Sequence, residues 1–230
     1  MGRTFNVVVS GLALTVLMPL LAAIGAAIRA TMGSPVLFRQ KRSGRHGEIF
    51  EIVKFRTMRD ERYPGEPGAD RLTPLGEVLR TYSLDELPQL WNVLKGEMSI
   101  IGPRPTLPEQ VVHYSARQRR RLDIDPGLTG YAQVKGRNAL SWPERIELDV
   151  WYIENRSTWL DVRIIALTVL QLIRPAGING DGGINPGFPA PSEQADGAEP
   201  DAGGSSPPPD HEPEGRMQSD APGSRRTTAA

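Results

Sequence analysis

Apolar residues fall along this chain in three patterns. From Phe5 to Ile28 almost every position is apolar and none is charged, with Arg3 and Arg29 at the ends. As a helix rising about 1.5 Å per residue, that run can cross the roughly 30 Å hydrocarbon core of a bilayer. Pro19 removes a backbone donor and clashes with the carbonyl four residues back, which predicts a kink between Leu14 and Pro19. A cleavable signal peptide is disfavoured by the length of the run, although Ala26-Ala27 resembles a small-residue cleavage site. A spanning helix is the default; a bent helix that returns to the face it entered is the sharper alternative, with Pro19 as its only local evidence. The basic residues Arg39, Lys41, Arg42 and Arg45 follow directly and favour a body on the cytoplasmic side.

The second pattern is alternation. Val36, Phe38 and Gln40 interleave with Leu37, Arg39 and Lys41; residues 43–47 supply a turn, and Ile49–Phe55 returns, predicting a hairpin from Pro35 to Phe55. Lys54 and Arg56 lie two apart and share a face of the extended chain, as a solvated basic edge or as anion contacts. Residues 59–71, with Pro64, Gly65, Pro67 and Gly68, form a flexible loop and a candidate lid.

Helical punctuation dominates from Thr73 to Ile173. Thr73-Pro74 opens a helix to about Tyr82 with Arg80 near its end, and Ser83 opens the next. Pro88 leaves the register there open between a Ser83 cap and an Asp85 cap. Glu109–Leu122 reads as one helix whose terminal Arg119, Arg120 and Arg121 compensate its dipole from a solvated face, slightly favoured over phosphate binding. A turn cluster over Asp125–Gly130 leads to a short strand, Tyr131–Lys135, and the loop Gly136-Arg137-Asn138. Ser141 and Glu144 form a capping box before a helix whose Ile146, Val150 and Ile153 share a face. Trp159–Ile173, apolar but carrying Asp161 and Arg163, is expected as a core or interfacial amphipathic helix.

Composition divides the chain. Up to Ile178 there are 24 Lys and Arg against 18 Asp and Glu, a net of +6; beyond it there are 3 against 9, a net of −6. The basic body suits anionic partners. The Gly-, Pro- and acid-rich remainder cannot bury enough apolar area to offset chain entropy and is expected to be disordered. Absent cysteine excludes disulfide and thiolate chemistry, and three scattered histidines make a zinc site improbable.

The stretch Ser83–Pro105 concentrates the chemistry. Asp85 and Glu86 sit at an expected helix start, and Arg104 is fixed between Pro103 and Pro105. An acid pair and a stiffly held guanidinium point to phosphate chemistry, while a capping box from Ser83 to Glu86 accounts for the pair alone.

Six segments in one collinear order, residues 38–44, 52–58, 83–96, 101–105, 125–130 and 133–138, resemble the bacterial sugar transferase family, the small monotopic phosphoglycosyl transferases that begin lipid-linked glycan assembly. The form without extra transmembrane domains is similar to the branch that transfers phospho-diacetylbacillosamine in bacterial N-glycosylation. The resemblance implies an α/β (α+β) fold: a small, mostly helical domain with a β-hairpin, an N-terminal membrane-embedded kinked helix and interfacial amphipathic helices. It divides the chain into a membrane-inserted helix (1–34), a transferase domain on the cytoplasmic face of the bacterial inner membrane (35–177) and an acidic tail (178–230). It implies transfer of a phosphosugar from a UDP-sugar, with an N-acetylated hexose expected and galactose or glucose as alternatives, to polyprenyl (undecaprenyl) phosphate. Asp85 would be the nucleophile and Mg²⁺ the cofactor, held by Asp85 and Glu86. Arg104, Lys54, Arg56 and Arg80 would contact phosphate, and Arg137 and Asn138 the nucleotide or lipid phosphate. Membrane lipid is an expected partner and nucleic acid is not. Two positions depart from the family pattern: Met18 precedes Pro19 where a serine is expected, and Asn6 stands where an acid is expected. A metal-dependent phosphohydrolase and a lipid-binding module are the rival classes.

Overall fold

The computed structural model describes residues 2–136 and 140–173. Arg137 and Asn138, and the tail expected to be disordered, lie outside the described residues. The fold is α+β and mostly helical, with two two-stranded sheets.

Helix α1, Arg3–Met32, runs without a break through Pro19 and is about 45 Å long at 1.5 Å per residue. Among the described residues it is the one helix long and apolar enough to cross a membrane. Val8, Leu12, Val16, Met18 and Leu20 are exposed along it, and only Asn6, Ser10, Ile24 and Ile28 are buried. The buried positions sit at its two ends. Near the start, the Arg3 guanidinium donates to the carbonyls of Val93 and Leu94, each at 2.6 Å, and Asn6 Oδ1 accepts the Ile100 N–H at 3.2 Å. Near the finish, Ile24 and Ile28 pack with Phe55 and Leu79. One globular body therefore holds both ends of α1 and leaves its apolar middle uncovered.

The hairpin forms as the alternation predicts. Strand β1, Leu37–Ser43, pairs antiparallel with β2, Ile49–Phe55, in a register that sets Phe38 opposite Lys54. A bridge from Ser43 to Thr106 ties the hairpin to the Pro-Arg-Pro segment. The loop over residues 59–71 is gathered on one carboxylate: Glu66, its side chain wholly buried, accepts from Arg59 at 2.8 Å and from Arg62 Nε at 2.9 Å. A short helix α2, Gly68–Arg71, and a Met58–Leu72 bridge close it.

Helix α3, Pro74–Thr81, starts as expected, with Thr73 Oγ1 accepting the Gly76 N–H at 3.0 Å. A Cβ on Gly76 would lie 1.9 Å from the Thr57 carbonyl oxygen, so only glycine lets α3 rest on the chain leaving β2. A 3₁₀ turn, Leu84–Gln89, then leads into α4, Leu90–Lys95, which packs along α1.

Two segments differ from the sequence expectation. Glu109–Leu122 is not one helix but α5, Pro108–Val111, then α6, Ala116–Arg119, and a 3₁₀ turn, because Ser115 opens a capping box with Gln118. Tyr131–Lys135 is not a strand but helix α7, with Tyr131, Ala132 and Val134 buried. The strands there are β3, Ser99–Ile101, and β4, Gly127–Thr129, paired in parallel. Helix α8, Trp142–Glu154, is capped by Ser141 as expected, and α9, Thr158–Ile173, follows. Their inner faces join α7 around Tyr131, Leu148, Tyr152 and Ile164. The outer face of α9 leaves Trp159, Val169, Leu170 and Ile173 exposed.

Candidate active site

Ser83 adopts a left-handed conformation, φ 54°, and turns the chain sharply after α3. The expected cap is not made: no side-chain cap closes the 3₁₀ turn, and the Glu86 N–H reaches the Ser83 carbonyl at 3.3 Å. The tight turn also accommodates Pro88, since it is not an α-helical interior position. Its result is to bury Asp85, at 5 % exposure, and to direct Glu86 toward Arg104.

Asp85 accepts no hydrogen bond from any described residue. Burial, reinforced by the neighbouring Glu86 carboxylate, pushes its pKa up to about 6, against the pull of Lys54, Arg104 and Arg80. These five side chains share one electrostatic neighbourhood. Lys54 lies over the Phe38 ring at 5.2 Å, and burial lowers its pKa from the ordinary lysine value. Arg80 is steadied by Thr57 Oγ1, 3.0 Å from its Nε. Arg104 forks onto Glu86, one guanidinium nitrogen lying 3.1 Å from Oε2 and the other bonding Oε1, and the carboxylate raises its pKa. Arg56 is turned elsewhere: its guanidinium donates to the carbonyls of Met58 at 2.9 Å and Ser34 at 3.0 Å, and pairs with Asp60 at 3.2 Å.

Two arginines outside the expected set support the Pro-Arg-Pro turn. Arg121 is buried, donates to Asp149 Oδ2 at 2.6 and 3.0 Å, to the Tyr114 hydroxyl at 2.6 Å and to the Arg104 carbonyl at 3.2 Å. The solvated, dipole-compensating role expected for the arginine run therefore fails at Arg121. Arg42 donates to the Pro105 carbonyl at 3.3 Å and to Gln40 at 2.7 Å, while its Nε is buried without a partner. Burial and the Arg104 charge bring its pKa down to about 10. Nothing in the local pattern marks either one: Arg121 meets a partner from another helix, and Arg42 sits among other basic residues.

No group of three or more His, Cys, Asp or Glu that could enclose a metal occurs among the described residues. Magnesium needs no such cage, since it commonly takes one or two carboxylates and fills its octahedron with water and phosphate oxygens. Asp85, with no hydrogen bond on its oxygens, fits that pattern; the oxygens of Glu86 are engaged by Arg104.

A buried carboxylate without hydrogen bonds, close to Lys54, Arg80 and Arg104, suits an enzyme of phosphorylated substrates, and α1 is long and apolar enough to suggest membrane association. The model for the bacterial sugar transferase family matches residues 1–175, and the chain belongs to that family. An uncharacterised sugar transferase of Bacillus subtilis, EpsL, is 50% identical over 156 residues, covering 66% of this chain and 77% of that protein. A UDP-glucose:undecaprenyl-phosphate glucose-1-phosphate transferase of Caulobacter vibrioides is 41% identical over 184 residues, 74% of this chain and 69% of its own. An undecaprenyl-phosphate galactose phosphotransferase of Salmonella typhimurium is 34% identical over 198 residues, 76% of this chain but only 41% of that longer protein.

Proposed function

We propose that this chain transfers a hexose phosphate from a UDP-sugar to undecaprenyl phosphate, releasing UMP, as the first membrane step of exopolysaccharide or glycoconjugate assembly. The observation that carries the proposal is Asp85: a buried carboxylate without hydrogen bonds, facing Lys54, Arg80 and Arg104. An ordinary capping acid would spend its lone pairs on backbone N–H groups. The names of the Caulobacter and Salmonella relatives favour glucose or galactose over an N-acetylated hexose.

In this reading an Asp85 carboxylate oxygen attacks the phosphorus that bears the sugar. The bond to the bridging oxygen breaks, and UMP leaves with the electron pair. An oxygen of the lipid phosphate then attacks the same phosphorus, the aspartyl bond breaks, and the carboxylate is regenerated. Both displacements bring anion to anion. Arg104 and Lys54 lower that barrier by neutralising phosphoryl oxygens, and Arg104 can exchange its fork from Glu86 to phosphate. A magnesium ion on Asp85 and Glu86, when bound, would supply further charge neutralisation of the diphosphate.

Both ends of α1 rest on the same body, which supports entry into and return from one membrane face, with the site at the cytoplasmic surface of the inner membrane. Because the chain lacks cysteine, Thr4→Cys and Ala30→Cys are each uniquely labelled; modification of the two from opposite sides would establish a spanning helix instead. The chemistry is tested with purified protein, a panel of UDP-sugars and undecaprenyl phosphate. Wild type should release UMP and hold a labelled phosphosugar when acceptor is withheld. Normal turnover by Asp85→Asn would end the nucleophile assignment.

A further inference from the structure

A second anion-binding feature lies at the start of α1, sharing no residue with the Asp85 site. A cleft of about 140 Å³ is lined by Arg3, Arg45 and Arg156, with Asp125 as its one carboxylate and Asn6 and Ser99 among its buried polar groups. Arg3 is held there by the Val93 and Leu94 carbonyls, and Arg156 lies beside Tyr152, so Arg45 is the cation of the lining that extends into the cleft without an ion pair of its own among the described residues. The cleft volume holds several water molecules and is enough for a phosphate group.

The cleft holds donors that the protein does not use. Asn6 is only 5 % exposed, and its Oδ1 is committed to the Ile100 N–H at 3.2 Å. Its side-chain N–H groups have no acceptor among the described residues, and the Arg45 guanidinium makes neither a hydrogen bond nor an ion pair there. An amide that lines the cleft offers those donors to whatever fills it. The positive end of the α1 dipole adds to the same field.

The neighbouring surface names the occupant. Val8, Leu12, Val16 and Leu20 recur every four residues from just beyond Asn6, each at least 41 % exposed, and form an apolar stripe down one flank of α1. We propose that the cleft binds the phosphate headgroup of an anionic membrane lipid, with the acyl chains laid along that stripe. This inference goes beyond the transfer reaction. It relies on α1 lying in lipid, not on the identity of the reacting groups.

The test uses the full chain in a non-ionic detergent, titrated calorimetrically with dihexanoyl-phosphatidylglycerol, dihexanoyl-phosphatidylcholine and inorganic phosphate. Wild type should bind one phosphatidylglycerol saturably and the zwitterionic lipid far more weakly. Asn6→Asp keeps the acceptor for Ile100 but replaces the donors with negative charge. It should weaken phosphatidylglycerol about tenfold or more, as expected for one lost charge-assisted hydrogen bond. Arg45→Gln, on an exposed turn, should do the same while its thermal unfolding matches wild type, and it decides the matter if Asn6→Asp fails to fold. Unchanged affinity in Arg45→Gln would overturn the site. Inorganic phosphate binding as tightly as phosphatidylglycerol, or equal binding of the two lipids, would overturn the anionic-lipid assignment.

Discussion

Replacing Asp85 with asparagine should abolish transfer and, at neutral pH, stabilise the fold. An aspartate that titrates at 3.8 when unfolded and at about 6 when folded makes folding progressively less favourable as pH rises through that interval. Below pH 3.8 both states are protonated and the penalty is absent; above 6 it is complete. At 1.36 kcal/mol for each tenfold change in proton affinity, the full penalty is about 3 kcal/mol, and roughly 1 kcal/mol of it is present at pH 4.5. Asparagine keeps the shape without the charge. The stability gap between Asp85→Asn and wild type should therefore widen by about 2 kcal/mol between pH 4.5 and 7.5, or roughly 4–8 °C in Tm for a body of this size. Thermal unfolding followed by circular dichroism, with EDTA present, measures both proteins at both pH values. Adding magnesium at pH 7.5 should narrow the gap by stabilising only wild type. A gap that is constant with pH, or that shrinks as pH rises, would refute the claim that an unbonded buried charge sits at Asp85.

Other perturbations separate support from chemistry. Arg104→Ala should lower UMP release about a hundredfold, the usual loss on removing a preorganised donor, with Arg104→Lys intermediate because an ammonium cannot fork. Arg121→Met strands the buried Asp149 carboxylate and should cost about 3–5 kcal/mol in denaturant unfolding, most of it recovered by adding Asp149→Leu. Glu66→Gln should raise hydrogen exchange across residues 59–71, beginning with the Arg62 amide that donates to Glu66 at 2.9 Å. Hydrogen bonding to Arg59 holds the Glu66 pKa below the ordinary value, so its ion pairs persist at neutral pH and are lost only as pH falls below the usual glutamate range. Wild-type protection, corrected for intrinsic rates, should accordingly be level from pH 5 to 8.

What could be read from the chain was whatever depends on near neighbours. The α1 run, the hairpin alternation, and the Thr73 and Ser141 caps are local patterns, and the structure forms them at the expected places. The acid pair and Arg104 were visible because they are compressed into 20 residues between rigid punctuation. Pairing across distance was not visible. Strands β3 and β4 are three residues each, too short to carry a period, and meet across 28 positions of sequence. Arg121 looked like the end of a solvated run because its partner Asp149 arrives on another helix 28 residues later. Ser83 has a capping sequence, but it closes the end of α3 in a left-handed conformation, its N–H on the Arg80 carbonyl at 3.1 Å, and that overrides the local preference.

That override is what makes Asp85 chemically available. Had Ser83 capped a regular helix, Asp85 and Glu86 would have faced its N–H groups, and hydrogen bonds would have lowered their basicity. The 3₁₀ turn instead buries Asp85 without donors, while each nearby cation has another attachment: Arg104 to Glu86, Arg80 to Thr57, Lys54 over Phe38. The cations thus lie close enough to oppose the rise in the Asp85 pKa without bonding its oxygens. In the proposed reaction, a diphosphate entering this ring would draw Arg104 and Lys54 to its own oxygens and leave the carboxylate to meet phosphorus with its lone pairs unspent. The Arg121–Asp149 strut beneath Arg104 keeps that exchange confined to the guanidinium, since the backbone that carries it is held at its own carbonyl.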